Sequence, residues 1–215
     1  MKKLFIFLFV ISILITTSGL TYSTSFSRNE STRVLLVHLK QNSNIQNKLN
    51  AIDALANKKN DKAFKYFVNT LCFIPNSLKT HNNASGVHDL VRTRMAKALK
   101  KYKSYQTDKL KDSFNALRKV VEKDPVDYIS SETALTLSVW SKKWDILYKR
   151  LLTRSILKRI KKVSKFKIVV VSKFINALQT SECKYAYVIL NKMLAMGYNN
   201  RINLKIKKIL DSRSY

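Results

Sequence analysis

Apolar residues return along this chain with helical spacing, and a longer period is laid over that spacing. An aliphatic or small residue, then Ala or Thr, then Leu recurs four times in the same arrangement: Ile52, Ala54, Leu55; Ala96, Ala98, Leu99; Ala134, Thr136, Leu137; and Ile175, Ala177, Leu178. Ile209 and Leu210 form a candidate fifth copy. Val91, Ile129 and Val170 each stand eight positions before the Leu of their copy, and the Leu-to-Leu steps are 44, 38 and 41 residues. A period of roughly 40 residues marks stacked helical hairpins, because one hairpin cannot bury its own apolar face and must lean on the next.

Breaks in the pattern place the elements. Residues 33–40 predict a short amphipathic helix that caps the first repeat. Residues 45–56 and 61–73 predict the first hairpin, with Asp61 as the cap of its second helix. Asn, Ser and Gly cluster over residues 75–89, which predicts a loop. The second hairpin is expected over 87–101 and 107–123. Asp124-Pro125 then reads as an N-cap followed by Pro at the first helical position, opening a third hairpin over 126–140 and 143–162. The fourth covers 164–179 and 181–196 and closes on Gly197, and residues 200–212 form a last helix. Three Gly and two Pro in the whole chain leave long uninterrupted runs, which favours helix throughout.

The first 23 residues stand apart from the fold. Lys2 and Lys3 precede an apolar run over residues 4–15, and Thr21 and Ser23 fit the small-residue positions of a cleavage site. This is the layout of a secretory signal peptide, and the run is short of the roughly 20 residues that a span needs. An uncleaved N-terminal anchor is the alternative. The expected organisation is a signal peptide or anchor over 1–23, a tail and capping helix over 24–44, and a helical-repeat domain over 45–215. An exported chain with only Cys72 and Cys183, 111 residues apart, is not a disulfide scaffold, and both are read as core thiols.

Two stretches, VRTRMAKAL over 91–99 and DPVDYISSETALTL over 124–137, resemble HEAT repeats, especially the short bacterial, phycobilisome-lyase-like kind. In that family an Asp-Pro turn leads into a helix bearing Val-Arg and Ala-x-x-Ala-Leu, followed by an antiparallel second helix. Asp124-Pro125 matches the turn, Val91-Arg92 the dipeptide, and residues 96–99 and 134–137 the helix core. Arg92 has no counterpart in the other units, and Asp-Pro occurs once. The resemblance implies an all-α fold, a right-handed α-solenoid of about four antiparallel helical hairpins, working as a scaffold or binding surface.

Charge adds a candidate partner class. Lys and Arg number 41 against 13 acids, a formal net charge of +28. Abundant Lys, Asn, Ile, Phe and Tyr suggest an A/T-rich coding sequence, yet that bias does not remove Asp and Glu. Residues 146–210 hold 16 Lys and Arg and one acid, Glu182. Arg150, Arg154, Lys158 and Lys162 recur at i+4 as a basic ridge, joined by Arg159, Lys161 and Lys165. Arg92, Arg94, Lys97 and Lys101 make a second patch. The reading is an anion-binding face for an acidic protein, a glycan or an anionic membrane surface, with nucleic acid less favoured for a periplasmic or extracellular chain. A solvated face that only keeps the protein soluble is the plain alternative.

Signals for catalysis are missing. There is no phosphate-binding Gly-rich loop and no G-x-S-x-G elbow; His81 and His88 flank a loop without the set of Cys or carboxylate ligands that a metal site needs, and His38 sits in the apolar run of a helix as a core or boundary residue. The sequence therefore reads as non-enzymatic and without a cofactor.

Overall fold

A computed structural model describes residues 26, 30–41, 44–73, 83–142 and 144–212. The segment read as a signal peptide or anchor and much of the 75–89 loop lie outside them. The described residues form ten helices: α1 (Thr32–Gln41), α2 (Ile45–Lys58), α3 (Asp61–Cys72), α4 (Asn83–Ala98), α5 (Thr107–Lys123), α6 (Asp127–Ser141), α7 (Ile146–Ile160), α8 (Ile168–Ser181), α9 (Lys184–Leu194) and α10 (Asn200–Asp211). A 3₁₀ segment, Leu99–Ser104, continues α4. No helix among the described residues is long and apolar enough to cross a membrane.

Each helix touches the next but one, and most touch the next. Contacts run α2 to α4, α4 to α6, α6 to α8 and α8 to α10, and likewise α3 to α5, α5 to α7 and α7 to α9. The result is an all-α stack of the helical-repeat, solenoid-like class. The recurring leucines are why it stacks. Leu55, Leu99, Leu137 and Leu178 are all fully buried, each contributing about 1.5–3 kcal/mol of transfer free energy. Ala96, Ala98, Ala134 and Ala177 beside them are buried too, and their small size admits the neighbouring helix.

Helix α6 sits at the centre, with 11 of its 15 residues buried. Most of its hydroxyl residues make that burial tolerable, because their donors turn to backbone carbonyls, whereas the buried Thr133 hydroxyl has no partner. Ser131 donates to Tyr128 O at 3.0 Å, Ser138 to Leu135 O at 2.8 Å, and Thr136 to Ala96 O on α4 at 2.6 Å. Trp140 fills the core and donates its indole N–H to Leu99 O at 3.0 Å. The Thr136 and Trp140 bonds span 40 and 41 residues, one repeat length.

Several local expectations change. α4 begins at Asn83, inside the stretch read as a loop, although Asn83, Ser85 and Gly86 are weak helix formers. Its far end tightens into 3₁₀ geometry, in which Leu99 and Tyr102 share a buried face while the Leu99 carbonyl is given to Trp140. Asn60 rather than Asp61 caps α3, its side chain accepting from Ala63 N at 2.9 Å. Asp124 does not cap α6, which starts at Asp127. Its carboxylate instead holds the turn by accepting from Val126 N at 2.9 Å. Gly197 takes φ +70, a left-handed backbone that glycine adopts without strain. Cys72 is half-buried and Cys183 buried, both as free thiols.

Candidate anion-binding face

Helix α7 carries four of the eleven candidate residues, Arg150, Arg154, Lys158 and Arg159, and its amphipathic pattern decides which way they point. Leu152, Ile156 and Ile160 are buried. Arg150, Arg154 and Lys158, one turn apart, are exposed. Asp145 starts the helix by accepting from Leu147 N at 3.1 Å. At the other end Lys158, Lys161 and Lys162 gather at the negative end of the helix dipole, a favourable place for cations. Lys161, Lys162 and Lys165 are exposed along the connection to α8.

Two side chains of this face have neighbours that hold them. The Arg150 guanidinium lies over the Tyr185 ring of α9, 4.7 Å from its centroid. Lys158, 67% exposed, stands 3.5 Å from Glu122 of α5. Glu122 also accepts from Arg118 at 2.7 Å and from the Ser155 hydroxyl at 2.6 Å. Burial raises the Glu122 pKa, but the Ser155 hydrogen bond and the charges of Lys158 and Arg118 together bring it below the ordinary value. Arg154 borders the same shallow groove between α5 and α7. The Ser155–Glu122 bond went unread in the sequence, although Ser155 lies one position before Ile156 on the buried stripe.

Two of the named arginines lie inside. Arg92 is 0% exposed and bonds Asp124 at 2.5 Å and Leu71 O at 2.9 Å. Arg159 is buried as well and bonds Asp127 at 2.6 Å. Neither presents its charge to a partner.

The rest of the second patch is engaged in joining helices. Arg94 pairs with Asp53 of α2 through two N–H donors, and this bond raises the arginine's pKa. Lys101 donates to Asn57 at 2.7 Å. Lys97, at 4.0 Å, approaches Glu132, which also takes Lys100 at 2.8 Å and Lys173 at 2.6 Å. One buried carboxylate on α6 thus gathers lysines from α4, the 3₁₀ segment and α8. The two patches lie in different layers: α4 stacks with α2 and α6, and α7 with α5 and α9.

Among the described residues, no three His, Cys, Asp or Glu side chains converge as a metal site requires. His81 lies outside them. His38 stacks near Phe26, ring centroids 4.9 Å apart, and His88 is held below its usual pKa by burial and by the charge of Arg92. Compared with protein-family models, with curated proteins and with solved structures, the chain matches none of them.

Proposed function

We propose that this chain is an exported, non-enzymatic helical-repeat scaffold that holds an acidic partner against the outer face of α7. The observation that carries the reading is how the charges are divided. Among the described residues, seven of the chain's 13 acids, Asp53, Asp61, Glu122, Asp124, Asp127, Glu132 and Glu182, are seen in ion pairs. The α4 patch is largely consumed by such pairs and by buried contacts. On α7 and its following turn, Arg154, Lys161, Lys162 and Lys165 face solvent and have no carboxylate against them among the described residues. An acid-poor row of cations raises the local potential, which attracts an extended anion more than a scattered basic surface does. Binding to a sulfated-polymer matrix over a salt series tests this. Retention that depends on α7 supports it, and retention indifferent to α7 removes it.

We further propose how the helices pair. The helices pair as α2–α3, α4–α5, α6–α7 and α8–α9 in a right-handed solenoid of antiparallel hairpins like short HEAT repeats, with α1 and α10 at the ends. Support comes from the next-but-one contacts and from inter-helix polar bonds one repeat apart in sequence.

One observation favours a membrane surface as the partner, with the N-terminal segment kept as an anchor. Phe166, in the connection from α7 to α8, is 93% exposed and lies between Lys165 and Lys167. An aromatic flanked by lysines suits the boundary between anionic headgroups and acyl chains. Mass spectrometry of the mature N-terminus separates the readings: Thr24 indicates an exported soluble form, and intact Met1 in membrane fractions indicates an anchor.

A further inference from the structure

Between α8 and α10 runs a groove lined by no carboxylate. Ser172 and Lys173 of α8 and Arg201 and Lys205 of α10 line it, with Ile168, Val169 and Ile202 as its apolar part. Arg201 and Lys205 are like charges one helical turn apart, a spacing at which they repel. No carboxylate among the described residues pairs with either of them. Lys205 is half-buried and donates to the Ser172 hydroxyl at 2.6 Å. Burial, aided by the charge of Arg201, pushes its pKa down. Lys173 reaches Glu132, but that carboxylate is already shared with Lys97 and Lys100 and leaves the groove positive.

The helix ends add to the field. Ile168 and Val169 open α8, whose Ile168 N–H donates to Phe166 O at 2.9 Å and Val171 N–H to Lys167 O at 3.0 Å, so it is the positive end of the helix dipole that lies beside the cations. The charge cluster and the helix end both favour negative charge, and, apart from Glu132 on Lys173, no carboxylate among the described residues supplies it. Two cations held at repelling distance also cost the fold stability, which a bound dianion offsets.

We propose that this groove binds a phosphate group, free or carried on an ester, with Arg201, Lys205 and the Ser172 hydroxyl as its donors. A planar guanidinium, an ammonium and a hydroxyl meet a tetrahedral anion of several oxygens better than a carboxylate of two. Ile168, Val169 and Ile202 provide an apolar wall for whatever an ester carries. This site is distinct from the α7 face and does not depend on it.

The test is a titration with inorganic phosphate at constant ionic strength, against sodium chloride, followed by backbone amide shifts. Wild type, Arg201→Gln, Lys205→Gln and, as a control remote from the groove, Lys62→Gln on α3 are compared. Saturable phosphate-specific shifts at Ser172, Arg201 and Ile202 are expected, with affinity about tenfold or more weaker in each groove variant and unchanged in the control. Lys205→Arg keeps the charge and should retain binding, which serves if Lys205→Gln disturbs α10. Equal shifts with chloride, or wild-type phosphate affinity in both groove variants, overturn the proposal. Vesicles of phosphatidylglycerol and of phosphatidylcholine identify the source. Sedimentation with the former that falls in Lys205→Gln and is displaced by phosphate assigns a lipid headgroup. Phosphate binding without that dependence assigns a soluble phosphate, and either result upholds the site.

Discussion

Arg92 Nη2 and Asp124 Oδ2 meet at 2.5 Å, and neither side chain reaches solvent. The same nitrogen donates to Leu71 O at 2.9 Å, and the other carboxylate oxygen accepts from Val126 N. One contact therefore ties the end of α3, the body of α4 and the turn from α5 to α6. Arg92 Nε and Nη1 have no hydrogen-bond partner, so the burial is only partly compensated. In a pair of this kind the cost of desolvation offsets much of the attraction, so removing one partner matters more than the pair's net worth.

Breaking it from one side should be costly. Arg92→Leu leaves the Asp124 charge buried and unpaired, and should destabilise by about 3–5 kcal/mol. Adding Asp124→Asn, which retains a carbonyl oxygen for Val126 N, should recover part of that loss. Urea melts of the single and double variants check this. A single-variant loss below about 1 kcal/mol, the worth of a surface pair, would contradict the buried assignment.

The repeat makes a core prediction with an internal control. Leu99→Ala and Leu137→Ala each empty a fully buried position and should cost about 2–5 kcal/mol. Leu204 on α10 is 66% exposed, and its replacement by Ala should stay within about 0.5 kcal/mol. Equal small losses at all three positions in denaturant melts would undo the stacking account.

Acid should weaken the fold through Glu132. Its burial raises the pKa, but the hydrogen bonds and charges of Lys100 and Lys173 outweigh that, so its folded value lies below the ordinary 4.5. A carboxylate depressed in the folded state adds stability that is present above 4.5 and is lost as the pH falls through its folded pKa. Stability measured from neutral pH downward should thus hold until near that value and then decline. Glu132→Gln should be less stable at neutral pH and show a shallower acid decline. Parallel acid limbs in the two proteins would contradict this.

Much of this architecture is legible along the chain. Residues 107–123 and the helix starting at residue 45 agree with the observed bounds of α5 and α2, because their apolar stripes are unbroken and their flanks polar. The start of α4 is not legible, since Asn83, Ser85 and Gly86 are weak helix formers that read locally as a loop. In the basic patches, a count of Lys and Arg conceals direction. The signal lies in helical phase: Arg92 precedes Met95, Ala96 and Leu99 by three, four and seven positions, and Arg159 follows Leu152 and Ile156 by seven and three. Both therefore lie on the buried stripe. Their acids stand 32 residues away in each case, Asp124 after Arg92 and Asp127 before Arg159. Partners so distant, on another helix, have no local mark in the sequence.

The proposed α7 face is tested most directly by one variant, Arg150→Gln, Arg154→Gln, Lys158→Gln and Lys162→Gln combined. Its retention on a sulfated-polymer matrix is measured across a salt series beside wild type, with circular dichroism and thermal melting of both. These side chains are exposed, and Lys158 alone has an acid nearby, one that Arg118 and Ser155 also hold. Helicity and melting temperature should therefore hold, or rise slightly as like charges at i+4 are removed. Retention should weaken, and the slope of log affinity against log salt should fall by about one for each lost contact. Unchanged retention and slope in a folded variant would mean that α7 is only a solvated face and would contradict the proposed function.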